Sequence, residues 1–261
     1  MTYQRIEIRI EDRIATLTLN DPERLNAMSL RMRSECLAAL RELEAGGQAD
    51  CVIITGAGPK AFSAGADINE VGQRSVAAEL GTEAQLRREL PRLIEHMRLP
   101  TLGALNGYCL GAGLELALAF TMRIAADTAK LGLPEINIGV IPGSGGTQRL
   151  ARMIGMGRAM EMTMLGEPID AAEAYRIGLV NSVHPAAELM DAARAICRKW
   201  QSKGPISLMA ARDAVLRSAD VDLQTGMDYE NKLFALCLAS GERDIGVRAF
   251  LDKKKARFRD R

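Results

Sequence analysis

The chain has 261 residues, 48% hydrophobic and 26% charged, with a formal net charge of +1, which is the make-up of a globular protein long enough to bury a core without a staple, as one domain with an appendage. The charge balance excludes a broad electrostatic nucleic-acid footprint, and two histidines, His96 and His184, leave little for a zinc site. Five scattered cysteines with no Cys-x-x-Cys pair fit buried thiols in a reducing compartment rather than a disulfide framework.

The opening MTYQRIEIRIED has no apolar signal core and no transit pattern, so a cytoplasmic protein is expected. Residues 6–10 and 14–19 are β-rich and partly alternating, which predicts a hairpin with a Glu-Asp turn. Ser29 is placed to cap a helix that runs to about residue 45 and ends at Gly46-Gly47. Residues 51–55 read as a short buried strand, followed by a loop of small residues from 56 to about 69. A polar helix is predicted over 78–97, a buried strand over 101–105, and a helix starting near Gly111. The weakly charged run from Leu99 to Phe120 contains Pro100, Asn106, Glu115 and four glycines, which suits strand, turn and helix better than a membrane span. Strands thus alternate with helices over the first two-thirds, as in an α/β fold. From Thr147 the pattern is mostly helical, with helices expected over 171–177, 188–203, 206–218 and 223–239, and the chain closes on a basic tail.

Two glutamates carry the chemical signal. Glu115 is the only charged residue between Asn106 and Phe120, and Glu135 the only one in the 13 residues from Leu131 to Gly143. Burying a carboxylate without a partner is costly, and two carboxyls in differing dry surroundings can divide acid and base roles. Around Glu115 the order is strand, Asn-Gly turn, Gly111-Ala-Gly113 and helix. The first N–H groups of a helix have no internal partner and can stabilise an oxyanion. Helical side chains lean toward the N-terminus, so Glu115 is expected to lean back toward the Gly111-Ala112 turn. Pro134-Glu135 also reads as an ordinary helix start, and Glu115 could equally sit on a wet helix face. Dinucleotide, P-loop and nucleophile-elbow patterns fail: Leu116 replaces a third glycine, no Gly-x-x-x-x-Gly-Lys occurs, and Pro142 replaces the first glycine before Ser144. A Ser144 hydrolase would also need a histidine base.

Three stretches taken together resemble the crotonase (enoyl-CoA hydratase/isomerase) superfamily, and within it the enoyl-CoA hydratases: Phe62-Ser-Ala-Gly-Ala-Asp-Ile68, Asn106-Gly-Tyr-Cys-Leu-Gly-Ala-Gly-Leu-Glu115, and Pro134-Glu135 followed by Ile141-Pro-Gly-Ser-Gly-Gly-Thr-Gln-Arg-Leu150. Pro22-Glu-Arg-Leu-Asn-Ala-Met28 and the tail from Ala249 also fit, so the likeness spans essentially the whole chain. The resemblance implies a spiral of repeated ββα units over residues 1–195 and a helical region, 196–261, that builds trimers or hexamers. It implies an acyl-CoA thioester substrate, no metal and no cofactor beyond the coenzyme A carried by the substrate, and no nucleic-acid or membrane partner. It assigns Glu115 and Glu135 as catalytic acids and the Ala66 and Ala112 N–H groups as an oxyanion hole. Substrate contacts are implied at Arg24, Leu25, Ala64, Asp67, Ile68 and Gly143, with Phe250 and Lys253 reaching over from a neighbouring subunit.

The implied reaction is hydration of a trans-2-enoyl-CoA to a 3-hydroxyacyl-CoA. Isomerases and other acyl-CoA lyases of the same superfamily remain the alternative. A remoter one is an RNA-binding homologue, supported only by Arg87-Arg88 and the basic residues from Lys253 onward. Chain-length preference is expected to depend on residues 71–95.

Overall fold

The first two strands, β1 (Ile6–Glu11) and β2 (Ile14–Leu19), pair antiparallel. The turn is Asp12-Arg13, one residue later than expected, and both residues have positive φ, 49° and 61°. A two-residue hairpin turn asks for left-handed backbone at both positions, which matches the strand twist and keeps Glu11 paired with Ile14. The computed structural model describes residues 3–259; Met1 and Thr2 of the opening segment, and Asp260 and Arg261 of the basic tail, lie outside the described residues.

Helix α1 (Leu30–Gly46) is capped by Ser29, whose side chain accepts from Met32 N at 3.2 Å, and is closed by Gly47 at φ 61°. Strand β3 (Cys51–Gly56) is buried throughout. After it comes the short β4 (Ala61–Ser63), then α2 (Ile68–Gly72), α3 (Val76–Leu80) and α4 (Thr82–His96). The single polar helix predicted over 78–97 is therefore two, because Gly81 turns to an extended backbone between them. The pattern repeats with β5 (Thr101–Leu105), β6 (Tyr108–Leu110) and α5 (Ala112–Ala117). It repeats again with β7 (Met122–Ala126), β8 (Lys130–Gly132), a 3₁₀ turn (Pro134–Ile138), α6 (Gly146–Ile154) and α7 (Met156–Leu165). Strand β9 (Ile169–Asp170), α8 (Ala171–Arg176) and β10 (Ser182–His184) complete the sheets.

Strands β3, β5 and β7 are thus each followed by a short one in a second sheet. The first sheet has the order β1-β2-β3-β5-β7-β10 and is parallel from β2 onward, and the second has the order β4-β6-β8-β9. The same ββα unit thus occurs three times over, as in the spiral that the resemblance implied. The second sheet was not foreseen, since two- and three-residue strands carry no readable period.

The two faces of β3 face two cores. Val52 and Ile54 join Leu17, Met32, Leu40, Leu105 and Leu131 in the larger one. Cys51 and Ile53 join Leu102, Ile124 and the inner face of α9 (Leu189–Gln201), namely Leu189, Ala193 and Cys197. The boundary placed at 195/196 falls inside α9, a helix packed on the first sheet. Helices α10 (Pro205–Arg217), α11 (Leu223–Ala239) and α12 (Glu242–Leu251) follow, and α11 buries none of its side chains within the chain. Among the described residues no helix is long and apolar enough to cross a membrane.

The turn before α1 is tied to the second sheet by Asn26, fully buried at φ 55°. Its Nδ2 donates to the carbonyls of Ala57 at 3.0 Å and Ala61 at 2.8 Å, and its Oδ1 accepts from Asp21 N at 2.9 Å. Asn26→Ala removes all three bonds and strands buried backbone groups, so a loss of ~2–4 kcal/mol is expected. Urea unfolding monitored by circular dichroism measures it; a loss near zero would show that water replaces the side chain.

Candidate active site

Glu115 lies one turn into α5 and is 2% exposed. Its Oε1 accepts the backbone N–H of Ser144 at 2.6 Å and of Gly146 at 2.9 Å. The side chain therefore does not sit on a wet face, and its donors come from the 144–146 turn. The 144–146 turn, at the entry to α6, offers N–H groups with no helical partner, and the carboxylate takes them. That turn is held in place by Arg149, which donates to the Ser144 carbonyl at 3.1 Å and forms a two-pronged ion pair with Glu95 of α4 at 3.1 and 2.8 Å. Ser144 is thus a buried turn residue that presents its backbone to Glu115. His184 is engaged with Ser182 Oγ at 2.8 Å, so no serine–histidine pair forms at Ser144.

Glu135 stands in the 3₁₀ turn after β8, with Pro134 fixing the first position. Its carboxyl lies against Gly111, where a Cβ would come within 3.0 Å of Glu135 Oε1. Gly111 has φ 50°, so glycine meets two demands at once here, a left-handed turn and room for the acid. Glu135 Oε2 is buried with no hydrogen-bond partner among the described residues. Burial is the main cause that lifts this carboxyl from its ordinary 4.5 to about 7; a bond to its own backbone opposes the rise, and the charge of Glu115 adds to it. The two acids thus share one site with different surroundings.

The loops after β4 and β6 meet beside them. A Cβ on Gly65 would lie 3.9 Å from Ala112 N and 3.9 Å from Gly111 Cα. Ala66 is held by a parallel bridge to Met28, whose N–H donates to the Gly65 carbonyl at 2.8 Å. Ala112 is the first residue of α5. Neither the Ala66 nor the Ala112 N–H has a partner among the described residues.

Of the other predicted positions, Arg24 pairs with Asp67 at 3.6 Å, Asp67 caps α2 through Asn69 N at 3.0 Å, and the Leu25 carbonyl accepts from Ala64 N at 2.9 Å. Ile68 and Gly143 are exposed; Ile68 directly follows Asp67, and Gly143 precedes the Ser144 turn that holds Glu115. The structure brings Arg24, Leu25, Ala64 and Asp67 together. It leaves Phe250 and Lys253 at the end of α12, which packs on α11. Arg87, one of the two residues that supported RNA binding, is 3% exposed and ion-paired with Glu79, so it offers no basic surface. Among the described residues no cluster of three or more His, Cys, Asp or Glu side chains is arranged to hold a metal ion.

Sequence reading missed the donors to Glu115, although a glycine-rich helix entry was visible at 143–146 and such an entry leaves N–H groups unspent. It also missed Arg33, a buried guanidinium in α1 that gives no pattern signal.

Comparison with known proteins places the chain in a family. The family model for enoyl-CoA hydratase/isomerase matches residues 9–261. The chain belongs to that family. A probable enoyl-CoA hydratase of Mycobacterium bovis is 40% identical over 100% of both chains. A crotonyl-CoA hydratase of Syntrophomonas wolfei is 38% identical over 99% of each. The crystal structure of an enoyl-CoA hydratase from Bacillus anthracis superposes with a TM-score of 0.93 at 36% identity, covering 99% of this chain and 100% of that one.

The Glu135 shift makes a statement about stability. The folded carboxyl titrates near 7 and the unfolded one near 4.5, so between those values the folded state holds more protons. Stability therefore falls as pH rises through that window. Glu135→Gln removes the burden, and the melting temperature of the variant relative to wild type is expected to rise from pH 5 to pH 8. Calorimetry at both values checks it; an unchanged difference would mean that the acid is not desolvated.

Proposed function

We propose that the protein hydrates trans-2-enoyl-CoA thioesters to 3-hydroxyacyl-CoA at the Glu115–Glu135 pair. The observation that carries the reading is two acids of unlike surroundings beside two unpartnered backbone N–H groups. The names of the relatives, enoyl-CoA and crotonyl-CoA hydratases, support the same reaction for this chain.

The thioester oxygen accepts the N–H groups of Ala66 and Ala112. Glu115, with its Oε1 fixed by two N–H donors, leaves its other oxygen to orient a water and take a proton from it. The water oxygen bonds to C3, and the C2=C3 electron pair moves onto the thioester oxygen as an enolate. Glu135, poised near neutrality, delivers its proton to C2. The enolate collapses to the thioester, and the net addition is one water. The proton on Glu115 returns to Glu135 through solvent, which resets the pair. Each oxyanion donor is worth ~3 kcal/mol of transition-state stabilisation. Because the donors are main-chain, alanine serves as well as glycine at 66 and 112. The coenzyme A portion is assigned to Arg24, Leu25, Ala64, Asp67, Ile68 and Gly143, with Phe250 and Lys253 contributed across a subunit contact. The reaction needs no metal and no further cofactor.

Glu115→Gln and Glu135→Gln are each expected to lower kcat for crotonyl-CoA hydration by ~100-fold or more, the usual range for general acid–base groups, with folding unchanged. Near-native turnover in either variant would sink the two-acid mechanism. A 3-enoyl-CoA offered in parallel separates hydration from double-bond isomerisation.

We also propose a trimer, alone or paired into a hexamer. The support is the apolar surface that the C-terminal helices leave open: Leu223 is 80% exposed, Phe234 64% and Phe250 82%. Such a surface on a lone chain is an interface in waiting. Sedimentation velocity is expected to show a species of three or six chains, and a concentration-independent monomer would reject the assembly.

A further inference from the structure

The turn that feeds Glu115 lies between two charged groups. A Cβ on Gly146 would come within 3.1 Å of Glu115 Oε1, and one on Gly145 would collide with Arg149 Nη1. The carboxylate is thus on one side of this bare backbone and the guanidinium on the other. Ser144 is held by both: its N–H donates to Glu115 Oε1 at 2.6 Å, and its carbonyl accepts from Arg149 Nη1 at 3.1 Å. The other two guanidinium nitrogens, Nε and Nη2, go to the two oxygens of Glu95 at 3.1 and 2.8 Å. A continuous set of polar contacts therefore runs from α4 through Arg149 and Ser144 to Glu115.

Left to itself such a turn is a poor positioner. Gly145 stands at φ 102° and gives α6 no side-chain cap. Glycine also loses more freedom on ordering than any other residue. Arg149 alone would not cure this, because a long side chain costs rotamer entropy to hold and a single exposed ion pair adds little. The pair with Glu95 is different in kind. It is two-pronged, which fixes the plane of the guanidinium, and both side chains are only about one-fifth exposed, 21% and 22%. Its far end is also anchored. The Arg87 carbonyl of α4 accepts from Arg33 of α1 at 3.4 Å, and the Met97 carbonyl at the end of α4 accepts from Arg212 of α10.

We propose that Glu95 and Arg149 are positioning residues for Glu115: the pair holds the Ser144 and Gly146 N–H groups on Glu115 Oε1 and so fixes where the other carboxylate oxygen points. Its consequence for rate rests on the hydratase reading, in which that second oxygen takes a proton from water. A base aimed at a small molecule must be held closely, and a displacement of about 1 Å can cost ~100-fold in rate. Loss of the brace leaves both acids and the Ala66 and Ala112 N–H groups in the chain. The deficit therefore falls on turnover and not on the binding of substrate.

The test joins two measurements on the full chain, hydrogen exchange by mass spectrometry over residues 141–150 and steady-state hydration of crotonyl-CoA. Wild type is compared with Arg149→Gln, Glu95→Ala and the double variant. Each single variant is expected to exchange the turn amides ~10-fold faster. Each is also expected to lose ~10-fold or more in kcat, with KM within about twofold of wild type. The double variant is expected to match Arg149→Gln, because two residues that act as one unit do not add. Glu95 is the outer member of the pair, so if Arg149→Gln does not fold, Glu95→Ala decides alone on the same two readouts. Wild-type exchange in the folded variants, losses that multiply in the double variant, or a change confined to KM would overturn the proposal. So would faster exchange with kcat kept in a working hydratase. Exchange is read without turnover, so the two readings fail separately. Faster turn exchange in variants of a protein that hydrates no enoyl-CoA upholds the brace and rejects the reaction. Hydration by wild type, with variants unchanged in exchange and kcat, does the reverse.

Discussion

A buried carboxylate must find donors, and the rest of the site is arranged around that need. Glu115 has almost no access to water. It is tolerable because the entry to α6 turns two main-chain N–H groups onto one of its oxygens. That single charge therefore fixes α5 against α6. Arg149 carries the constraint outward by gripping the same turn through its carbonyl and Glu95 on α4. Glu135 meets the opposite condition. It is also withdrawn from water, yet one of its oxygens has no donor among the described residues, and its proton is held to about 7. The same side chain thus acquires two characters from the number of N–H groups offered to it, which is how one pocket can hold a base beside an acid.

The doubled sheet explains why main-chain donors are available there. Strands β3, β5 and β7 of the first sheet each run on into a short strand of the second, β4, β6 and β8, and the helix follows only after it. The loops leaving β4 and β6 are neighbours because those strands are paired. Gly65 and Gly111 face each other across this seam, and small residues let the backbones approach. The N–H of Ala112 is free because it opens a helix, and that of Ala66 because its bridge to Met28 uses neighbouring groups. A pair of open main-chain donors of this kind follows from topology more than from side chains.

How much of this could be read beforehand follows from which signals are local. The cap at Ser29, the stop at Gly47, the buried run of β3 and the strand–turn–helix around Gly111 are written within a few residues, and all were legible. The break at Gly81 was legible only in part, because one glycine inside a polar helical pattern is often tolerated. The strands of the second sheet were not legible, since three residues such as Ala61–Ser63 owe their pairing to Tyr108 and Cys109, far along the chain.

The charged residues show the limit most plainly. Glu115 and Glu135 stood out because their neighbours were apolar, so local composition announced their burial. Arg33 stands among polar residues, Arg31, Ser34 and Glu35, and reads as one more solvated position of an amphipathic helix. It is buried because α4 and the Met28 turn close over it, and both supply carbonyls for its N–H groups. Arg87 was misread for the same reason, as surface charge next to Arg88, although α4 turns it inward to meet Glu79. Sequence states which charges a chain carries. Whether a charge is solvated or paired is decided by contacts between distant elements.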